Sequence, residues 1–189
     1  MTPRHMTYRP GDALLIVDMQ NDFCENGALA VAGGDALVPA INAESKAAAS
    51  AGALIVATRD WHPIGHCSFA PQGGPWPEHC VQDTPGAAFH PELALPEGTV
   101  RVSKGSAFDR DAYSGFDGTG LATFLRQRDV SRVIICGLAL DVCVRATTLD
   151  ALEAGFETIL LASLTEPVES EQRQACLAEL RNAGADILE

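Results

Sequence analysis

Along the chain, short unbroken apolar runs alternate with stretches whose apolar positions recur at helical spacing. Ala13-Leu14-Leu15-Ile16-Val17 predicts a strand, the alanine-rich residues 35–51 a helix ending near Gly52, and residues 53–57 a second strand. Residues 99–102 predict a third strand. A helix at about 118–128 precedes a strand at 132–136, and a helix at about 142–154 precedes a strand at 157–162. Helix 169–183 leads to a last short strand at 185–188. Strands that are apolar throughout are buried on both faces, and their alternation with helices is the pattern of a parallel sheet. The expected fold is therefore α/β: a three-layer α/β/α sandwich around a mostly parallel six-stranded sheet. At 189 residues one domain accommodates it.

One segment breaks the rhythm. From about residue 60 to residue 96 the pattern dissolves into a loop insertion rich in proline (Pro63, Pro71, Pro75, Pro77, Pro85, Pro91). The same stretch holds His62, His66, His79 and His90, four of the five histidines. A long irregular insertion in a compact domain is either functional or disordered. The aromatics Phe69, Trp76 and Phe89 point to the first.

Composition narrows the function classes. Apolar residues make up 47% and charged residues 20%, an ordinary globular balance. A formal charge of −12 argues against nucleic acid or an anionic membrane surface as partner. No apolar run reaches the length of a membrane span, and Met1-Thr2-Pro3-Arg4-His5-Met6 has no signal-peptide core. Six cysteines (Cys24, Cys67, Cys80, Cys136, Cys143, Cys176) in such a chain are expected to be free thiols in a cytoplasm.

Polar residues at the strand ends carry the candidate chemistry. Asp18 follows the first strand, Asp60 stands two residues past Thr58, and Lys104 (one of only two lysines) follows Val102. The fourth strand runs into "GLALDVCVRATT", residues 137–148. In open α/β sheets ligands bind outside the carboxyl ends of the strands, where these residues would meet. A free cysteine is usually an inert buried residue, which suits Cys136 and Cys176. Cys143 is different, because it falls at a predicted first helical turn, where the dipole and free N–H groups favour a thiolate and can bind an oxyanion. With a carboxylate and a lysine beside it, it becomes a candidate nucleophile.

"DWHPIGHCSF" (60–69) and "WPEHC" (76–80) form a second group. Asp60, His62, His66 and His79 suit zinc, iron or manganese, with zinc first. Neighbouring residues in extended chain point opposite ways, so Cys67 and Cys80 are expected to face the core rather than share a metal with His66 and His79.

These motifs, together with "VDMQNDFCENGALAV" (17–31), "WPEHCVQDTPGAAFHP" (76–91), "KGSAFDRDAYSGF" (104–116) and "CGLALDVCVRATTLDAL" (136–152), resemble the nicotinamidases (pyrazinamidases) of the isochorismatase-like hydrolases. The resemblance runs from about residue 12 to 162 in the family's order. It implies a triad in which Cys143 attacks a carboxamide, Asp18 moves the proton and Lys104 holds Asp18. It also implies an oxyanion hole from the N–H groups of Ala139 and Cys143, and a cis peptide bond after Ala139. One divalent metal ion on Asp60, His62, His66 and His79 would orient a pyridine ring lined by Phe23, Trp76, Tyr113, Ala139 and Leu140. Two positions depart from the family: Leu140 stands where threonine is usual and Val142 where tyrosine or histidine is, and both flank the nucleophile.

The implied activity is hydrolysis of nicotinamide, and of pyrazinamide, through a cysteine thioester in NAD salvage. The alternative is a related cysteine amidohydrolase acting on a ureido or carbamoyl substrate. A small-molecule amide is the expected partner, and the chain is a monomer or homo-oligomer. A thiol redox enzyme is disfavoured because there is no C-x-x-C.

Overall fold

The computed structural model describes residues 6–189; the reading of residues 1–5 lies outside them. Six strands form one sheet: β1 (Asp12–Val17), β2 (Leu54–Asp60), β3 (Val100–Lys104), β4 (Arg132–Leu138), β5 (Glu157–Glu166) and β6 (Asp186–Leu188). Their order is β3-β2-β1-β4-β5-β6 and every pairing between them is parallel. Alternating side chains feed two cores. Leu14 and Ile16 pack with Ile134, Cys136 and the α1 residues Val38 and Ile41 (α1, Val38–Ser50). On the other face, Ala13, Leu15 and Val17 pack with helices α2 (Leu121–Arg126), α3 (Arg145–Glu153) and α4 (Arg173–Ala183). Each fully buried leucine, isoleucine or valine among these contributes about 1.5–3 kcal/mol through loss of its contact with water.

The element boundaries differ from the sequence expectation in informative ways. β2 and β3 run on to Asp60 and Lys104, because these two residues are register partners in the ladder. α2 starts only at Leu121, after Gly118 and Gly120, both in the left-handed region. α3 starts at Arg145, since Leu140–Val144 form a turn of π-helix instead of its first turn. α4 is preceded by a 3₁₀ turn at Ser170–Gln172.

The strand order reverses direction between β1 and β4, which opens a crevice at their carboxyl ends. Gly137 makes the close approach there. Its φ is +111°, and a Cβ at this position would lie 2.1 Å from the carbonyl oxygen of its register partner Val17. Any larger residue would push β1 and β4 apart and separate Asp18 from the turn carrying Cys143.

Candidate active site

Each charged group is set by the strand that ends in it. Asp18 leaves β1 with φ +47° and is fully buried. Thr58 of β2 donates its hydroxyl to Asp18 Oδ1 at 2.6 Å. Lys104 at the end of β3 places Nζ 2.8 Å from Asp18 Oδ2, 2.5 Å from Asp60 Oδ1 and 3.4 Å from Cys143 Sγ. Asp18, Asp60 and Cys143 bring their acidic atoms within 4.8 Å of one another, all buried. The strand ends therefore bring the sequence-nominated Asp18, Lys104 and Cys143 into a single cluster.

The electrostatics divide the roles. Burial pushes Asp18 above its usual range, against the pull of Lys104 and the Thr58 hydroxyl. Burial also acts on Asp60, but the Lys104 charge and the His62 contact outweigh it and hold Asp60 below the usual range. Burial opposes the charge on Lys104 as well, yet the two carboxylates keep its pKa well above normal. Burial, with Asp18 and Asp60 nearby, drives the Cys143 thiol up, overcoming Lys104. This corrects the expectation of a dipole-stabilised thiolate. The π-helical turn precedes the α-helix, and two carboxylates face the sulfur. Burial and the two carboxylates favour the thiol form of Cys143, and Asp18 is the carboxylate beside it that burial raises.

The turn itself is fixed by the Ala139 carbonyl, which accepts from the N–H groups of Val142 (3.1 Å) and Val144 (3.0 Å). The cis peptide bond joins Leu138 to Ala139, one residue earlier than expected, where β4 ends.

Beside this cluster, Asp60 Oδ2 faces His62 Nε2 at 3.6 Å and His79 Nε2 at 3.8 Å. His62 Nδ1 lies 2.8 Å from the Gly105 carbonyl and His79 Nδ1 lies 2.7 Å from the Pro77 carbonyl. A carbonyl can only accept, so both Nδ1 atoms carry a proton and both Nε2 atoms are turned towards Asp60 Oδ2. Burial opposes charge on His62, but Asp60 and the Gly105 carbonyl raise its pKa, so its Nε2 offers Asp60 a proton or, when neutral, offers a cation a lone pair. With both imidazoles neutral, three lone pairs would converge in this buried space and repel one another unless a cation lay between them, and outer carbonyls that orient imidazoles in this way are typical of metal sites. Gly105 (φ +62°) makes room for the His62 ring, since a Cβ there would come 2.5 Å from it.

His66 is not brought into this trio. Its ring stacks on His62 at 4.2 Å, its Nδ1 accepts from the Ser68 N–H, and its Nε2 faces the Arg110 carbonyl at 3.3 Å. Cys80 faces the core as expected. Cys67 does not: it is half-buried, with Sγ 3.9 Å from His66 Nε2. All six cysteines are free thiols.

The cluster opens into a cavity lined by Phe23, Trp76, Tyr113, Ala139, Val142 and Cys143, with Asp60 and His79 at its polar side. Trp76 Nε1–H donates to the Tyr113 hydroxyl at 3.0 Å. The Leu140 side chain, expected in this lining, is instead fully buried in the core beneath the turn. Leu29, Val31 and Val168 also line the cavity, and nothing in the sequence distinguishes them from core residues. Gln20 was equally silent. It is fully buried, donates to the carbonyls of Asp60 (2.8 Å) and Ala87 (2.9 Å), and accepts from the Asp60 N–H (2.8 Å). It thereby fastens the end of β2 to the insertion. Its only signal is a long polar side chain next to a strand-end aspartate.

A fold of this topology with a buried cysteine, aspartate and lysine at the strand switch defines a cysteine hydrolase class, and the isochorismatase domain matches residues 12–189: the chain belongs to the isochorismatase family. It is 44% identical over 184 residues to the nicotinamidase/pyrazinamidase of Mycobacterium tuberculosis, covering 93% of this chain and 97% of that protein. Among solved structures it is similar to the pyrazinamidase of Pyrococcus horikoshii in complex with zinc, with TM-score 0.92 and 50% identity, covering 95% of this chain and 99% of that one. It is also similar to PnC1 from L. infantum in complex with nicotinate, with TM-score 0.91 and 41% identity, covering 97% and 96%.

Proposed function

We propose that the protein is a nicotinamidase that hydrolyses nicotinamide to nicotinate and ammonia, accepts pyrazinamide, and acts in cytoplasmic NAD salvage. The observation that carries this reading is the juxtaposition of the buried Asp18–Lys104–Cys143 cluster with the converging donors of Asp60, His62 and His79, beside a cavity that Cys143, Asp60 and His79 line. Its relatives named for nicotinamide or pyrazinamide hydrolysis, and the neighbour that holds nicotinate, support the substrate.

In this reading Asp18 takes the Cys143 proton and the sulfur attacks the carboxamide carbon. The N–H groups of Ala139 and Cys143 receive the developing oxyanion. As the C–N bond breaks, Asp18 returns its proton to the departing nitrogen, releasing ammonia and leaving a Cys143 thioester. Asp18 then draws a proton from water, which attacks the thioester; nicotinate leaves and the proton returns to sulfur. Lys104 keeps Asp18 ionised and fixed against Thr58. Phe23, Trp76 and Tyr113 enclose the ring. A divalent ion, zinc in the first instance, fits the donor set of Asp60, His62 and His79, with His66 as fourth candidate, and when bound would supply a Lewis-acidic anchor for the ring nitrogen.

Ammonia release measured across nicotinamide, pyrazinamide and a panel of ureido and carbamoyl compounds tests the reading. Turnover confined to the pyridine and pyrazine carboxamides is the expected result; preference for a ureido compound would overturn it.

A further inference from the structure

The sequence between the pocket and α4 holds a polar contact that the reaction does not use. Asp141 sits in the π-helical turn, between the buried Leu140 and the pocket residue Val142, two positions before the nucleophile. Its carboxylate reaches out to the loop that follows β5. Oδ1 accepts the Val168 N–H at 2.8 Å and Oδ2 accepts the Glu169 N–H at 3.0 Å. Val168 lines the cavity and packs on the core cluster that contains Phe23, Val31 and Ala139. The loop is anchored upstream by ladder pairs of Thr165 with Gly137 and Glu166 with Leu138. It is anchored from α4 by Arg173, which donates to the carbonyls of Thr165 (2.8 Å) and Ala162 (2.6 Å). Beyond Glu166, the polar contact that ties it to the nucleophile turn is Asp141.

We propose that Asp141 is a positioning residue that sets the pocket wall: its two charge-assisted hydrogen bonds hold Val168 against the substrate ring, and this decides how large a ring the site accepts. The inference rests on the nicotinamidase reading for the identity of the ring. Both amides lie at a half-buried to exposed rim, so water can replace the carboxylate when it is removed. The fold then survives while the position of Val168 relaxes. Val168 touches the ring in the ground state and the transition state alike, so its displacement raises KM and spares kcat.

The test compares Asp141→Ala, Asp141→Asn, Val168→Ala and the Asp141→Ala/Val168→Ala double variant on nicotinamide and on nicotinamides with one ring methyl group, with bound metal assayed throughout. Asp141→Ala is expected to raise KM for nicotinamide about tenfold with kcat within about twofold of wild type and metal content unchanged. It should also narrow the preference for nicotinamide over its methylated forms. Val168→Ala should narrow that preference in the same way with Asp141 intact. Asp141→Asn, which retains one acceptor oxygen, should fall between wild type and alanine, and it carries the test if the alanine variant does not fold. The double variant should be no worse than the poorer single one. Wild-type KM in Asp141→Ala, a loss confined to kcat, or additive losses in the double variant would overturn the inference while leaving the functional reading intact. A wild-type chain unable to hydrolyse nicotinamide would overturn the functional reading itself, and the inference with it.

Discussion

Replacing Lys104 with methionine removes a buried ammonium while keeping most of the side-chain volume. Nζ lies 2.8 Å from one carboxylate and 2.5 Å from another, and all three groups are sealed from solvent. Removing one partner of a buried ion pair costs about 3–5 kcal/mol, because the remaining charge is left uncompensated. Here two carboxylates are left, and they cannot both stay ionised at this distance. Asp18 should take the proton first, since burial already raises it whereas His62 still holds Asp60 down. In the wild type, Asp60 is depressed, so its contribution persists through neutral pH and is lost only in acid. Lys104 is raised, so its contribution is lost only in alkali. In Lys104→Met a bound proton stands in for the ammonium, and each pH unit below the raised carboxylate value restores about 1.4 kcal/mol. Asp18 is raised in the wild type too, and losing the ammonium raises it further, so urea unfolding of the chelated wild type and variant at about pH 5 and about pH 8 should show a larger stability loss at the higher pH, by about 1.4 kcal/mol for each pH unit of that further rise within the window. Turnover should be abolished at both. An equal stability loss at the two pH values would refute the view that Lys104 holds two ionised carboxylates.

The other predictions concern the thiol, the base and the metal. Cys136, fully buried in β4, should tolerate alanine with a loss of about 1–2 kcal/mol in denaturation and no loss of chemistry, whereas Cys143→Ala should fold normally and be inert. Because Asp18 is raised by burial, kcat/KM should fall as pH drops through a value above the ordinary carboxylate range. Thr58→Val, which removes a hydrogen bond that lowers Asp18, should move that acid limb to higher pH in the pH–rate profile. Stripping the metal should impair nicotinamide turnover far more than folding followed by circular dichroism. Benzamide, which has no ring nitrogen, should be poorer by about 1.5–3 kcal/mol or more in kcat/KM even with metal bound.

Much of this was readable from the residues, for reasons that mark what kinds of feature a sequence discloses. The runs at 13–17 and 133–136 are apolar without interruption, as a strand buried on both faces requires. Asp18, Asp60 and Lys104 stood out as polar residues where such strands end. The pocket wall was opaque because Leu29, Val31 and Val168 are indistinguishable from core residues until the loops are placed. Gln20 and Asp141 act through backbone groups 40, 67 and 27 residues away, which no local pattern encodes. The state of the thiol is hidden for a related reason. A helix start favours a thiolate, but the π-helical turn and the two facing carboxylates that reverse the effect arise only from tertiary structure.

The central claim is that Cys143 carries the acyl group. Wild-type enzyme quenched in acid during nicotinamide turnover, digested and examined by mass spectrometry, tests it most directly. A nicotinoyl thioester is expected on the peptide containing Cys143, absent from Cys143→Ala and from enzyme quenched before substrate is added. An unmodified Cys143 peptide under steady turnover, together with residual ammonia release by Cys143→Ala, would contradict it.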